Sequence, residues 1–137
     1  MTECSIKEKH AMSGIDFFID TNVLIYILEE RPEVMKITKH SFLRGISVIS
    51  EIELLGKKNI SQNEIDVIRS LLNDCAIIAL NENIKEIAIS IKQKTSIKTA
   101  DAIVAATAKS FNLPLLTFDK DFKKLEGVVE VVILDLI

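Results

Sequence analysis

The sequence predicts an α/β domain: a three-layer, doubly wound sheet, mostly parallel, with helices on both faces. Three observations predict it. Short apolar runs alternate with longer segments of helical period in the order βαα-βαα-βαα-βα-β. The composition is 48% hydrophobic but only 5% aromatic, with no Trp, as suits an aliphatic sheet buried on both sides. The 137 residues carry no repeats or linkers, and a single domain near this length buries roughly two-thirds of the surface its unfolded chain exposes.

Residues 1–14 are polar, mixed in charge and without period, which predicts a flexible extension ahead of one folded domain, residues 15–137. Residues 15–19 read as a short buried strand that stops at Asp20, and an apolar helix runs from Asn22 to Glu30. Its residues from Val23 to Leu28 are apolar all round, so part of that helix is expected to face another subunit. Pro32 breaks it, and a weaker helix is expected over residues 33–43, with Val34, Ile37 and Phe42 inside. Gly45 punctuates, residues 46–49 read as the second strand, and Ser50 caps a short helix stopped by Gly56. Ser61 and Glu64 form a capping box for a helix that carries Ile65, Ile68, Leu71 and Leu72 and ends near Asn73. Residues 75–80 are the third strand, and residues 81–94 a helix striped by Ile84, Ile87, Ala88 and Ile91. Thr99 caps the most regular helix, with Ala100, Ile103, Val104, Thr107, Ala108 and Phe111 on one stripe, ended by Asn112 and Pro114. Residues 115–117 form the fourth strand, a short basic segment follows, and residues 128–133 are the last strand.

A net charge of −3 argues against a protein that coats nucleic acid non-specifically, since that binding needs a basic surface, although a local basic groove is compatible with it. Cys4 and Cys75 form no spaced framework and read as reduced thiols, Cys75 as part of the core. No apolar stretch reaches the roughly 18 to 20 residues of a membrane span, and the amino terminus lacks a secretory apolar core. A cytoplasmic, soluble protein is expected. His10 and His40 are the only histidines and make no metal set; both read as surface residues.

The acids hold the chemistry. Asp20 follows the first strand, Glu53 the second, Asp119 the fourth, and Asp101 opens a helix near the sheet. Singly, each has a structural reading: a turn or helix-cap aspartate, the capping box Ser50-x-x-Glu53, an acid in the first turn of a helix. In a parallel sheet, however, all four can reach the edge where the strands end and where open α/β sheets place their ligands. Hard divalent cations such as Mg²⁺ and Mn²⁺ take oxygen ligands, and carboxylates from several elements can hold them with room left for water and phosphate. Phosphodiester cleavage is the natural use of such a set.

Four stretches carry a resemblance to the PIN-domain ribonucleases, in particular the VapC-type toxins of prokaryotic toxin–antitoxin pairs. They are Phe18-Ile19-Asp20-Thr21-Asn22-Val23-Leu24-Ile25; Ser47-Val48-Ile49-Ser50 leading to Glu53-Leu54; Thr99-Ala100-Asp101-Ala102-Ile103-Val104; and Leu116-Thr117-Phe118-Asp119-Lys120-Asp121-Phe122. The resemblance covers nearly everything from Ile15 onward. It implies catalytic and metal-binding roles for Asp20, Glu53, Asp101 and Asp119, with Asn22 and Thr117 in support. Asp121 competes for the fourth role; Asp119 is preferred because it directly follows Thr117-Phe118. Residues 1–14 are extra to the family pattern, and Ala100 stands where Pro is frequent. The resemblance further implies an RNA substrate, a small antitoxin that folds on binding, and a homodimer. Lys57, Lys58, Lys94, Lys98, Lys120 and Lys123 are candidates to hold RNA phosphates, although a solvated lysine is the commoner reading of each.

Two other readings stand beside this one. A phosphatase-type hydrolase would use an Asp nucleophile at a strand end, but the haloacid-dehalogenase pattern needs a second acid where Asn22 stands. A response-regulator receiver wants adjacent acids where the chain has Phe17-Phe18. A catalytically silent PIN-like module acting through a protein partner is the non-enzyme alternative, and the presence of all four acids disfavours it.

Overall fold

The computed structural model describes residues 14–39 and 41–135. Its order is β1 (Phe17–Ile19), α1 (Thr21–Leu28), a 3-10 helix (Pro32–Thr38), β2 (Arg44–Ser47), α2 (Val48–Leu55), α3 (Gln62–Leu72), β3 (Cys75–Ile78), α4 (Glu82–Lys94), α5 (Thr99–Phe111), β4 (Leu115–Thr117), a second 3-10 helix (Lys120–Leu125) and β5 (Val131–Ile133). The strands lie in the order β3-β2-β1-β4-β5 and every pairing is parallel. The chain thus winds outward from β1 through β2 to β3, crosses by α4 and α5, and winds outward on the other side through β4 to β5. The crevice between β1 and β4, where the winding reverses, is the switch point at which such sheets bind ligands.

Alternation along β1 sends its side chains into two cores. Phe18 packs with Ile84, Ile91, Ala105, Leu115 and Phe122 beneath α4 and α5. Phe17 and Ile19 face the other way, onto Val23, Leu24, Val34, Ile46 and Ile68. The predicted doubly wound architecture is therefore the observed one. Cys75, half-buried at the start of β3, has its thiol pushed up by burial; Cys4, His10 and His40 lie outside the described residues, as does most of the predicted extension. Among the described residues no helix is long and apolar enough to cross a membrane.

Several local expectations are corrected. The first helix starts at Thr21, one residue early, because Asp20 caps it. The helix expected over residues 33–43 is a 3-10 turn that ends at Thr38, leaving Phe42 partly exposed. The second strand is Arg44–Ser47, not residues 46–49, and Ser47 caps α2 by accepting from the Ile49 N–H at 3.1 Å. Ser50 is thus inside the helix, and the box Ser50-x-x-Glu53 does not form. Lys98, rather than Thr99, stands at the cap of α5, without a capping side chain. The third strand stops at Ile78 and the last begins only at Val131, since the Val128 and Val129 N–H groups are taken by the Leu125 carbonyl. The box at Ser61 does form, with the Glu64 N–H donating to Ser61 Oγ at 3.1 Å, and α3 ends at Asn73.

Gly45 is not punctuation but close packing within β2. A Cβ there would lie 2.7 Å from Phe18 Cε1 and 2.9 Å from Ile15 Cγ2, and Phe18 is itself held against Phe111 with ring centroids 5.2 Å apart. Gly45→Ala is expected to cost about 1–3 kcal/mol of stability, the range for overpacking a core. Urea unfolding reads it, and an unchanged midpoint would mean that the sheet yields at no cost.

Candidate active site

Asp20 ends β1 in an extended conformation and caps α1, so its carboxylate is fixed on two sides. Its Oδ1 accepts from the Thr21 N–H at 2.8 Å, and its Oδ2 from the Thr117 hydroxyl of β4 at 2.9 Å. It is only 6% exposed, and burial raises its pKa; the two hydrogen bonds oppose this, while the charges of Glu53 and Asp119 add to it. Thr117 is fully buried and uses its hydroxyl twice, donating to Asp20 and accepting from the Asp119 N–H at 3.0 Å. Asn22 Oδ1 takes the Phe118 N–H at 3.4 Å, a further tie between α1 and the end of β4.

Asp119 caps the second 3-10 helix, its Oδ1 accepting from the Asp121 N–H at 2.9 Å. It is the Asp119 charge that reaches Asp20 and Asp101, whereas Asp121 is exposed and is not among the charges that raise them. Glu53 stands on α2 with Oε1 2.8 Å from the Thr21 hydroxyl. Asp101, in the first turn of α5, has its pKa raised to about 6, first by burial and then by Asp20, Asp119 and Glu53, with Lys98 opposing. The four predicted acids therefore converge. A participant that sequence reading assigned to a cap is Ser50, whose Oγ is 2.9 Å from Thr21 Oγ1; its spacing of three residues from Glu53 puts both on one helix face, which was the available signal.

Among the described residues no three His, Cys, Asp or Glu side chains form a group placed to hold one metal ion. The donor set still suits a hard cation, being all oxygen and in excess of nearby positive charge. Mg²⁺ in particular keeps several waters and needs only one or two carboxylates.

The crowding has a thermodynamic sign. A carboxyl with a raised pKa in the folded state contributes stability in full below its unfolded value near 4, and this is lost as pH rises through about 6. Without divalent ions, the protein should lose stability across that window, and Asp101→Asn should be more stable at pH 7 by on the order of 1 kcal/mol after solvent screening. Melting curves in chelator at matched ionic strength test this. A variant less stable than wild type at pH 7 would make Asp101 a structural acid of its helix start.

The PIN domain family model matches residues 17–128, a span that contains all four acids. A search of curated proteins by sequence gave no match. Among solved structures, a chain of a toxin–antitoxin complex from Klebsiella pneumoniae is 29% identical, with a TM-score of 0.70 over 85% of this chain and 95% of that one. A chain of FitAcB from Neisseria gonorrhoeae is 25% identical, with a TM-score of 0.65 over 84% and 95%. A chain of DNA-bound VapBC from Salmonella typhimurium superposes with a TM-score of 0.76 over 86% and 97%; at 17% identity this last likeness shows the fold alone. With the model spanning β1 to the segment beyond β4 and the four motifs inside it, the chain belongs to the PIN-domain family.

Proposed function

We propose that the protein is a metal-dependent endoribonuclease that hydrolyses RNA phosphodiester bonds, and that it is the toxin of a toxin–antitoxin pair. The observation that carries this reading is the convergence of Asp20, Glu53 and Asp119 on Asp101, whose carboxyl is raised to about 6 by burial first and by these three charges after it. Such an excess of like charge costs stability and is useful where cations and a phosphodiester must meet. Membership of the PIN-domain family supports the nuclease class, and neighbours described as toxin–antitoxin complexes support a small antitoxin as partner. The nuclease domain takes in residues 15–137.

Asp20 and Asp101 would hold Mg²⁺ or Mn²⁺, and Glu53 and Asp119 would hold a second ion or orient the attacking water. A divalent cation bound there supplies Lewis acidity toward phosphate and water. The chain's own part is orientation. Thr21 and Thr117 fix both oxygens of Asp20, so its rotamer is set before any ligand arrives. Lys98, whose charge reaches Asp101, and Lys120, next to Asp119 in sequence, would meet phosphate charge.

Asp20→Asn keeps the shape of the side chain and its acceptor for the Thr21 N–H, turns an amide donor toward the Thr117 oxygen, and loses the charge a hard cation needs. It should fold and show no Mn²⁺-dependent cleavage of a structured RNA. Near wild-type cleavage by this variant would sink the assignment, and cleavage by neither protein, with or without Mn²⁺, would favour the silent binding module.

The α1 helix leaves Ile25 exposed beside half-buried Tyr26, Ile27 and Leu28, and part of that surface would face a second copy. Light scattering at tens of micromolar should show a dimer; a monomer would remove the homodimer from this reading.

A further inference from the structure

Ser50 is fully buried in the first turn of α2, yet it does not cap that helix, because Ser47 does. Its Oγ lies 2.9 Å from Thr21 Oγ1 and has no other hydrogen-bond partner among the described residues. Thr21 Oγ1 in turn lies 2.8 Å from Glu53 Oε1. Counting protons fixes the directions. A threonine hydroxyl has one proton and an ionised carboxylate has none. Thr21 must therefore give its proton to Glu53 and accept from Ser50, so both hydroxyls point along one path from the interior to the carboxylate. A bond to a charged acceptor polarises its donor, which strengthens the bond behind it.

Glu53 needs such help. It is a long, exposed side chain with rotamer freedom to lose, whereas Asp20 is short and held on two sides. We propose that Ser50 is a positioning residue: its buried hydroxyl, acting through Thr21, aims the Glu53 carboxylate at the acid cluster. Ser50 has no exposed surface, so its own hydroxyl is not spent on bulk water. The inference rests on the nuclease reading of that cluster and adds to it a residue that touches neither cation nor RNA.

The test compares wild type, Ser50→Ala, Ser50→Thr, Glu53→Ala and the Ser50→Ala/Glu53→Ala double variant. Two quantities are read on each: the Mn²⁺ dissociation constant, from water-proton relaxation, and single-turnover cleavage of a structured RNA. Ser50→Ala should weaken at least one of them about tenfold, within the range for groups that orient metal ligands. Ser50→Thr should restore it, and adding Ser50→Ala to Glu53→Ala should change neither, because the side chain being aimed is gone. Wild-type values for Ser50→Ala, an equal loss in both backgrounds, or no recovery with Thr would overturn the proposal. If Ser50→Ala does not fold, Ser50→Cys, of similar volume but a weak donor, replaces it in the same comparison. Failure of the wild type to cleave RNA would sink the nuclease reading, and the Mn²⁺ constants would still judge Ser50.

Discussion

A single hydrogen bond across two neighbouring strands, from the Thr117 hydroxyl to Asp20 Oδ2 at 2.9 Å, ties the two windings of the sheet together at their reversal. It joins residues 97 positions apart, and much of the site is hung from its two ends. Asp20 starts α1 and thereby places Thr21, which reaches Glu53 on α2. Thr117 receives the Asp119 N–H, and Asp119 starts the turn that follows β4. Because β1 and β4 are both buried on both faces, neither end of this bond can shift without disturbing one of the two cores.

The acids at this edge work against the fold that displays them. Burial and the charges of neighbouring acids raise Asp20 and Asp101 together, and Lys98 is a cation that partly offsets Asp101. The aliphatic cores on either side absorb that cost, as is common where a site is built from like charges. The arrangement also explains why the polar groups that hold Asp20 are a backbone N–H and a hydroxyl. Both orient a carboxylate without neutralising it, so its charge is kept for a ligand.

Much of this was legible in the sequence for a simple reason. Each strand of a sheet covered on both faces is an uninterrupted apolar run, so the residue at which the run stops marks the ligand edge, and Asp20 and Asp119 stand just beyond such stops. The second strand was harder, because Ile46-Ser47-Val48-Ile49 is as good a strand as it is a helix start. Buried Arg44 and close-packed Gly45, neither typical of strand interiors, belong to β2 all the same. A strand taken to residue 49 makes Ser50 the cap, whereas the strand's true end at Ser47 puts Ser50 inside α2 and frees its hydroxyl for Thr21. Ser50 and Thr21 are 29 residues apart, and no local pattern announces a contact of that range. The last strand was overextended because Val128 and Val129 are apolar, although their N–H groups close a turn onto Leu125.

The strand order has a consequence for synthesis. β4 is made almost a hundred residues after its neighbour β1, so a nascent chain that ends at α5 has Asp20 without Thr117, and Asp101 without Asp119. Pairings of such separation form late, after the loop between them has been closed. A nascent chain at that stage therefore has no assembled acid cluster, and the chemistry proposed for it switches on only after β4 has been made and paired with β1.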